Sequence, residues 1–144
     1  MHPSRQRICG SVYVKLNQPQ AIKELISMLT KAKEMQRTHK AKGIILTGDL
    51  NARHIAWGDK VSDEYGRSLI ELLDNNCFGI HAANSPTFLC TNGSSCIDLV
   101  IASNDLMDNI ESCTTDNDIE LYSGAPFRGH LPLITNIKTN SNTS

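Results

Sequence analysis

Three short stretches of the sequence hold most of the side chains that could do chemistry. The first is TGDLNARHIAWGD at 47–59, which follows the apolar run 44–46 and offers Asp49 and Asn51 two residues apart. A carboxylate there can hold a divalent metal or orient an attacking water, and an amide can hydrogen-bond a phosphate oxygen or that water. Asp and Asn are also ordinary turn residues, so the stretch equally fits a polar turn after a strand.

The other two stretches each place one titratable residue beside an apolar run. Asp98 precedes the run 99–103, where an unpaired charge is costly and a partner is needed: an arginine, a backbone turn, a metal or a histidine. His130 precedes the apolar residues 131–134, where a lone histidine could be a buried imidazole with satisfied hydrogen bonds. An Asp–His pair is the alternative, because it fixes the tautomer and stabilises an imidazolium facing an anionic transition state.

The elements that would position these residues alternate between strand and helix. A strand is predicted at 7–14, and a helix starts at 17–19, with a further, wholly apolar strand at 43–46. Strand, helix and strand in this order imply a crossover that joins parallel neighbours. The apolar positions of the first helix recur at helical spacing: Ile22, Leu25, Met28, Leu29, Ala32 and Met35.

The rest of the chain continues the α/β pattern. The predicted elements are a helix from Asp63 to Asn75 capped by Ser62 or Asp63, strands at 77–82, 86–90, 96–102, 119–122 and 131–137, and one helical turn at 104–109. The strands 86–90 and 96–102 are expected to pair around the turn at 91–94. The tail 139–144 is polar, and no repeat or linker divides the chain.

The length of the chain limits it to a single domain, because 144 residues correspond to about one domain. Residues 1–43 contain nine Lys or Arg against two acids, whereas residues 44–144 contain five against thirteen. A basic half of this kind is either a nucleic-acid-binding surface or the solvated face of a helix.

Five cysteines without a C-x-x-C pair, and no apolar segment after Met1, favour a reduced intracellular setting, nuclear or cytoplasmic. Zinc binding by these cysteines is not expected. Cys96, beside Asp98, is either an inert core residue or a reactive thiol. The sequence contains no run of about 18 apolar residues, the length that would predict a membrane span.

The three stretches, taken in order, resemble the endonuclease/exonuclease/phosphatase family. G-D-L-N-A-x-H-x-x-W-G, then S-x-I-D, then x-H-x-P-x-I are most similar to the apurinic-type endonuclease domain of non-LTR retrotransposons. The helix around 66–73, the turn 85–88 and the tyrosine-bearing strand 11–14 resemble the same branch. The resemblance covers about residues 8–138, nearly the whole chain.

This resemblance implies a four-layered α/β sandwich, in which helices flank two mixed β-sheets, and a Mg²⁺- or Mn²⁺-dependent phosphodiesterase that nicks DNA. It implies that Asp49 orients or deprotonates the attacking water and is a metal ligand, and that Asn51 hydrogen-bonds this water or the phosphate. His130, paired with Asp98, would stabilise the charge that develops as the bond breaks.

The resemblance also assigns the residues that would face the nucleic acid. Tyr13 would contact the phosphate, and Arg53, His54 and Trp57 fall where the retrotransposon branch places DNA-facing residues. Packing beneath the loop is the alternative for Trp57. The partners implied are DNA and a reverse transcriptase domain in the same polyprotein.

Two departures from the family pattern bear on activity. The N-terminal half of the family domain supplies a metal-binding Glu that has no counterpart here, so residues 1–144 are expected to be an N-terminally truncated domain. Gly129 stands where the family usually has Asp in Ser-Asp-His. One sheet of a halved sandwich is expected to expose an apolar face. A non-catalytic module that binds nucleic acid, and a phosphatase of the same superfamily, are therefore the alternatives to the endonuclease.

Overall fold

The structure is a computed structural model that describes residues 6–14, 20–83, 85–90, 93–115, 129–131 and 133–138. Its centre is a four-stranded mixed sheet of β1 (Ile8–Tyr13), β2 (Ile44–Asp49), β3 (Phe78–His81) and β6 (Asp98–Ser103). Across the sheet these strands lie in the order β1-β2-β6-β3. Helix α1 (Ala21–His39) lies between β1 and β2 in sequence, and helix α2 (Glu64–Asn75) precedes β3.

The register of the central sheet aligns the candidate residues at one edge. β1 and β2 are parallel neighbours, as the strand–helix–strand order predicts, and Tyr13 is the partner of Asp49. β2 and β6 are antiparallel, with Asp49 opposite Asp98. The carboxyl end of β2 therefore lies between the end of β1 and the beginning of β6.

Two smaller sheets complete the described structure. One contains β5 (Gly93–Ser95), β4 (Phe88–Cys90) and β8 (Gly129–His130), and the other pairs β7 (Ile110–Thr115) with β9 (Leu133–Ile137). The predicted pairing of 86–90 with 96–102 is wrong, because β4 pairs with β5 whereas β6 lies in the middle of the central sheet. Leu99 to Ser103 are all buried, which suits a strand with neighbours on both sides.

The helices cover one face of the central sheet. α1 buries a narrow stripe at i, i+4, i+8 and i+11, formed by Ala21, Leu25, Leu29 and Ala32. Met28 and Met35, which the periodicity places inward, are 36% and 43% exposed because they lie beside this stripe. α2 has the predicted cap, since the Asp63 side chain accepts a hydrogen bond from the Gly66 N–H. Neither described helix has an apolar stretch long enough to cross a membrane.

The opposite face of the sheet is largely covered, contrary to the expectation of an exposed apolar surface. Ile45, Val100 and Ala102 are at most 4% exposed and belong to a second apolar cluster. This cluster includes residues of β7 and β9, so the two-stranded sheet provides the cover. β7 was not predicted. The predicted helix start at 17–19, the strand at 119–122, the tail 139–144 and the first half of the turn 91–94 lie outside the described residues, while the second half of that turn belongs to β5.

Candidate active site

His130 lies between two carboxylates at the edge of the central sheet. Its Nδ1 is 2.8 Å from Asp98 Oδ2, and its Nε2 is 3.4 Å from Asp49 Oδ2. The predicted Asp98–His130 pair is therefore formed. An imidazolium donates from both nitrogens and would serve both carboxylates, whereas a neutral ring has one N–H. Both aspartate side chains are 13% exposed and the histidine 45%, so the cluster is open to a ligand.

Burial raises the pKa of Asp49 above its ordinary value. The backbone N–H of Asn51 and the nearby His130 oppose this shift, while the charge of Asp98 adds to it. Desolvation and a like charge both favour the protonated carboxyl group. A raised pKa is common for a group that exchanges a proton in a reaction.

The turn after β2 has a backbone shape that its residues allow. Gly48 has φ of 149°, and a Cβ at this position would lie 1.9 Å from the Val12 carbonyl oxygen. Asn51 is in the left-handed region, with φ of 49°, which Asn tolerates better than most residues. Its N–H donates to Asp49 Oδ1 at 2.9 Å, and its Nδ2 donates to the Val14 carbonyl at 2.6 Å. Asn51 thus ties the Asp49 turn to the end of β1.

Thr87 connects Asp98 to the strand that carries His130, and the sequence did not single it out as a site residue. It is 1% exposed, and its Oγ1 accepts hydrogen bonds from the N–H groups of Ile97 and Asp98 at 3.2 and 3.1 Å. Its carbonyl accepts from the Leu131 N–H at 2.8 Å. The only sequence signal for this role was its place in the turn 85–88.

Phe88 provides the apolar side of the histidine site. It is opposite His130 in the β4–β8 pairing, and the two ring centroids are 4.8 Å apart. The imidazole is therefore held by a carboxylate on one nitrogen and by an aromatic ring against its side.

Arg53 forms an ion pair inside the loop that carries it. Its Nε and Nη2 both donate to Asp59 Oδ1, at 3.1 and 2.8 Å, and Asp59 Oδ2 accepts from the Cys96 N–H at 3.0 Å. Burial alone would raise the pKa of Asp59, but the hydrogen bonds from Arg53, Cys96 and Lys60 outweigh it and lower the pKa. Asp59, which was not predicted as important, joins the loop to the segment before β6.

His54 and Trp57 also organise this loop. His54 Nδ1 accepts the Ala56 N–H at 2.9 Å at the start of the 3₁₀ helix Ile55–Trp57, and its ring centroid is 5.3 Å from that of Trp57. Trp57 is 5% exposed and belongs to the core, which supports the packing alternative for this residue. Tyr13, by contrast, is 71% exposed beside Asp49.

Cys96 has the features of an inert core thiol. It is 4% exposed, and burial raises the pKa of its thiol, with a smaller contribution from Asp59. The thiolate, which is the nucleophilic form, is therefore disfavoured.

A divalent cation fits the donor set at the sheet edge. Asp49, Asp98 and His130 each offer a ligand atom, and these atoms lie within 4.8 Å of one another. Mg²⁺ is usually held by one or two carboxylates together with water and substrate phosphate. Two half-buried carboxylates open to solvent meet this requirement. Among the described residues no other group of three such side chains occurs.

The α/β fold of this chain is shared with the solved structures of two nucleases. The endonuclease domain of TRAS1, a telomere-specific non-LTR retrotransposon, has a similar structure, with a TM-score of 0.66 and 26% sequence identity. The match covers 90% of this chain and 54% of the TRAS1 chain. A 3'-5' exonuclease (NExo) from Neisseria meningitidis shares the fold, with a TM-score of 0.59 and 16% identity, over 89% of this chain and 60% of its own.

The chain belongs to the endonuclease–reverse transcriptase family. The family model described as "Endonuclease-reverse transcriptase" matches residues 8–123. A probable RNA-directed DNA polymerase from transposon BS of Drosophila melanogaster is 34% identical over 100 residues, which are 67% of this chain and 10% of that protein. The chain thus spans about half of the TRAS1 domain and a tenth of the Drosophila protein.

Proposed function

We propose that this chain hydrolyses DNA phosphodiesters as the endonuclease part of a non-LTR retrotransposon polyprotein. The observation that carries the proposal is His130, placed between Asp49 and Asp98 where β2 and β6 meet. Membership of the family and the likeness to the TRAS1 endonuclease domain support it. DNA as substrate, and a reverse transcriptase domain in the same polyprotein, are parts of this proposal.

The chemistry assigns a separate task to each member of the cluster. Asp49 accepts a proton from a water, whose oxygen forms the new bond to phosphorus while the bond to the leaving oxygen breaks. His130, oriented by Asp98, donates a hydrogen bond to a phosphate oxygen on which negative charge develops. Asn51 holds the Asp49 turn in shape and presents its remaining amide oxygen, and the exposed Tyr13 hydroxyl contacts the phosphate.

A divalent cation, Mg²⁺ or Mn²⁺, would be held by Asp49 with help from Asp98. When bound, such an ion neutralises charge on the phosphate and on the leaving oxygen. Since Gly129 supplies no carboxylate, the site has fewer protein ligands than the family pattern, and we expect weak metal binding that substrate phosphate strengthens.

Incubation of supercoiled plasmid with the purified chain tests this proposal. We expect conversion to open circles with Mg²⁺ or Mn²⁺ and none with a chelator. Asp74→Asn, which removes an exposed aspartate on α2, should nick the plasmid as fast as wild type and is the control for the loss of a carboxylate outside the cluster. Correctly folded chain that leaves the plasmid supercoiled with both metals would favour the second candidate, a non-catalytic nuclease-fold module. The observation that favours this second candidate is the small number of carboxylates in the cluster, which contains only Asp49 and Asp98 beside His130.

A further inference from the structure

A cavity lies at the opposite end of the central sheet from the candidate active site. It has a volume of about 500 Å³, and its lining includes Lys33 and Arg37 of α1, together with Ile44, Cys77 and Asn104. Ile44 begins β2 and Asp49 ends it, so the cavity is about 17 Å from the catalytic edge at the usual rise of a strand.

The two cations in this cavity form no ion pair with the part of the chain that the structure describes, because no described carboxylate lies within 4 Å of Lys33 or Arg37. Asp105 also lines the cavity and keeps its negative charge, although its oxygens accept hydrogen bonds: Gln36 Nε2 donates to its Oδ2 at 3.1 Å, and the Ser103 hydroxyl donates to its Oδ1. Two cations against one carboxylate leave the lining with a formal charge of +1, which favours an anionic ligand.

Lys33 is also held in place. Its Nζ is 5.4 Å from the centroid of the Phe78 ring, and Phe78 is buried beneath it. A cation–π contact engages the side of the ammonium group that faces the ring, and the N–H donors on its other side can bind an oxygen ligand. Arg37, one helical turn further along α1, adds a guanidinium group that can bind phosphate in a bidentate manner.

The positive charge continues beyond the cavity, along α1 and in the segment that directly follows it. Residues 20–43 contain six Lys or Arg but only Glu24 and Glu34 as acids, with the cations at Lys23, Lys31, Lys33, Arg37, Lys40 and Lys42. A polyanion can reach several of these cations at once, whereas a single small anion contacts only the two that line the cavity. Clustered lysines and arginines are typical of a surface that contacts a nucleic-acid backbone.

We infer that the Lys33–Arg37 cavity binds the phosphate backbone of a nucleic-acid strand, at a site separate from the catalytic edge. The catalytic end is acidic and needs a metal to attract phosphate, whereas this end attracts it directly. The chain would then hold one strand at α1 while the opposite end of the sheet acts on another.

Fluorescence anisotropy with a labelled oligothymidylate, in the presence of a chelator, tests whether Lys33 and Arg37 contribute charge to nucleic-acid binding. We expect Lys33→Gln/Arg37→Gln to weaken binding about tenfold and to reduce the slope of log affinity against log salt by about 1.4. The charge-matched control, Lys60→Gln/Lys138→Gln, should change binding less than about twofold. Equal losses in the two double variants would overturn the assignment. Arg37→Gln alone, which keeps the Lys33–Phe78 contact, should show about half of the slope change.

Two cysteines provide a local readout of occupancy. Cys77 lines the cavity, while Cys9 is exposed on β1 opposite Ile45, on the other face of the sheet from α1. We expect the oligonucleotide to slow alkylation of Cys77 severalfold and to leave Cys9 unchanged, as measured by peptide mass spectrometry. Unchanged Cys77 labelling at saturating oligonucleotide would contradict the inference, as would equal protection by millimolar inorganic phosphate.

This inference stands apart from the proposed catalysis. Asp49→Ala and His130→Ala should retain oligonucleotide binding and Cys77 protection whether or not the wild-type chain nicks DNA. If instead these variants lose both, the nucleic acid binds at the catalytic edge and the cavity has no such role.

Discussion

At the scale of residues, a chain of backbone contacts places His130 between the two carboxylates. Asp98, the partner of Asp49 in the β2–β6 register, is 32 residues from His130 in sequence. The Asp98–His130 pair could be predicted from residue types and from the family resemblance. The approach of His130 to Asp49 could not, because it depends on which strands become neighbours.

Thr87 shows what residue types alone do not reveal. Its hydroxyl and carbonyl contact backbone N–H groups, so nothing in its own chemistry marks it as part of the site. Asp59 was not predicted for a different reason: its partners are an arginine in its own loop and a backbone N–H before β6, and sequence spacing does not show that these groups meet.

Thr87→Val should disturb the site through Asp98. The substitution leaves the N–H groups of Ile97 and Asp98 without an acceptor, at a cost of about 1–3 kcal/mol for each buried group. We expect a lower kcat for nicking with KM nearly unchanged, together with a lower midpoint of urea unfolding. Thr87→Ser, which keeps the hydroxyl, should restore most of the kcat. A serine variant as slow as the valine variant would show that shape, not the hydrogen bonds, is what matters.

The raised pKa of Asp49 predicts opposite effects on activity and stability. The folded protein binds a proton at Asp49 more tightly than the unfolded chain does, so ionised Asp49 destabilises the fold near neutral pH. Asp49→Asn should therefore abolish nicking yet raise the free energy of unfolding at about pH 7, in chelator. The gain should shrink as the pH falls through the raised pKa, because wild-type Asp49 then becomes neutral as well. Urea titrations across this pH range measure the free energy of unfolding of both proteins. An Asn variant less stable than wild type at neutral pH would contradict the claim that ionised Asp49 destabilises the fold.

At the scale of elements, the loop between β2 and α2 shows what a motif leaves open. Contact of Arg53 and His54 with DNA stays a prediction, since both are partly exposed while Arg53 pairs with Asp59 and His54 caps a 3₁₀ helix. Trp57 is buried, as its packing alternative has it. A motif match identifies such a loop but does not tell which of its side chains are turned inward. The helices were easier to predict, because caps and 3.6-residue periodicity are local signals.

The Arg53–Asp59 pair should contribute to stability in a way that depends on pH. Asp59→Asn removes the charge that Arg53 and two backbone N–H groups stabilise, at a cost of about 2 kcal/mol. Because the folded-state pKa of Asp59 is lowered, this stability is present above the unfolded value of about 3.9 and is lost as the pH falls through the folded value. Urea unfolding at about pH 7 and about pH 3 should show a gap between wild type and variant that narrows in acid.

Asp74→Asn, which removes an exposed charge, is the control for this comparison and should leave stability within about 0.5 kcal/mol of wild type. A gap for Asp59→Asn that stays constant with pH would mean that the carboxylate contributes through shape alone.

At the scale of the whole molecule, strand order explains why the α/β class was predictable and the pairing was not. The parallel β1–β2 unit follows from local order, whereas the position of β6 between β2 and β3 depends on contacts far apart in sequence. β7 was missed because Ile110–Thr115 alternates weakly and contains Glu111, Ser112 and two threonines. For the same reason the sequence did not predict that β7, paired with β9, covers the second face of the central sheet.

The central claim is that Asp49 and His130 act as one unit on a phosphodiester. The measurement that tests it most directly is the initial rate of plasmid nicking by wild type, Asp49→Ala, His130→Ala and the double variant, with Mg²⁺ and with Mn²⁺. We predict that each single substitution lowers the rate by about 10²-fold or more and that the double variant is hardly slower than either, as for residues that act together. Losses that multiply in the double variant, or a folded wild-type chain that nicks no faster than the variants, would contradict the account.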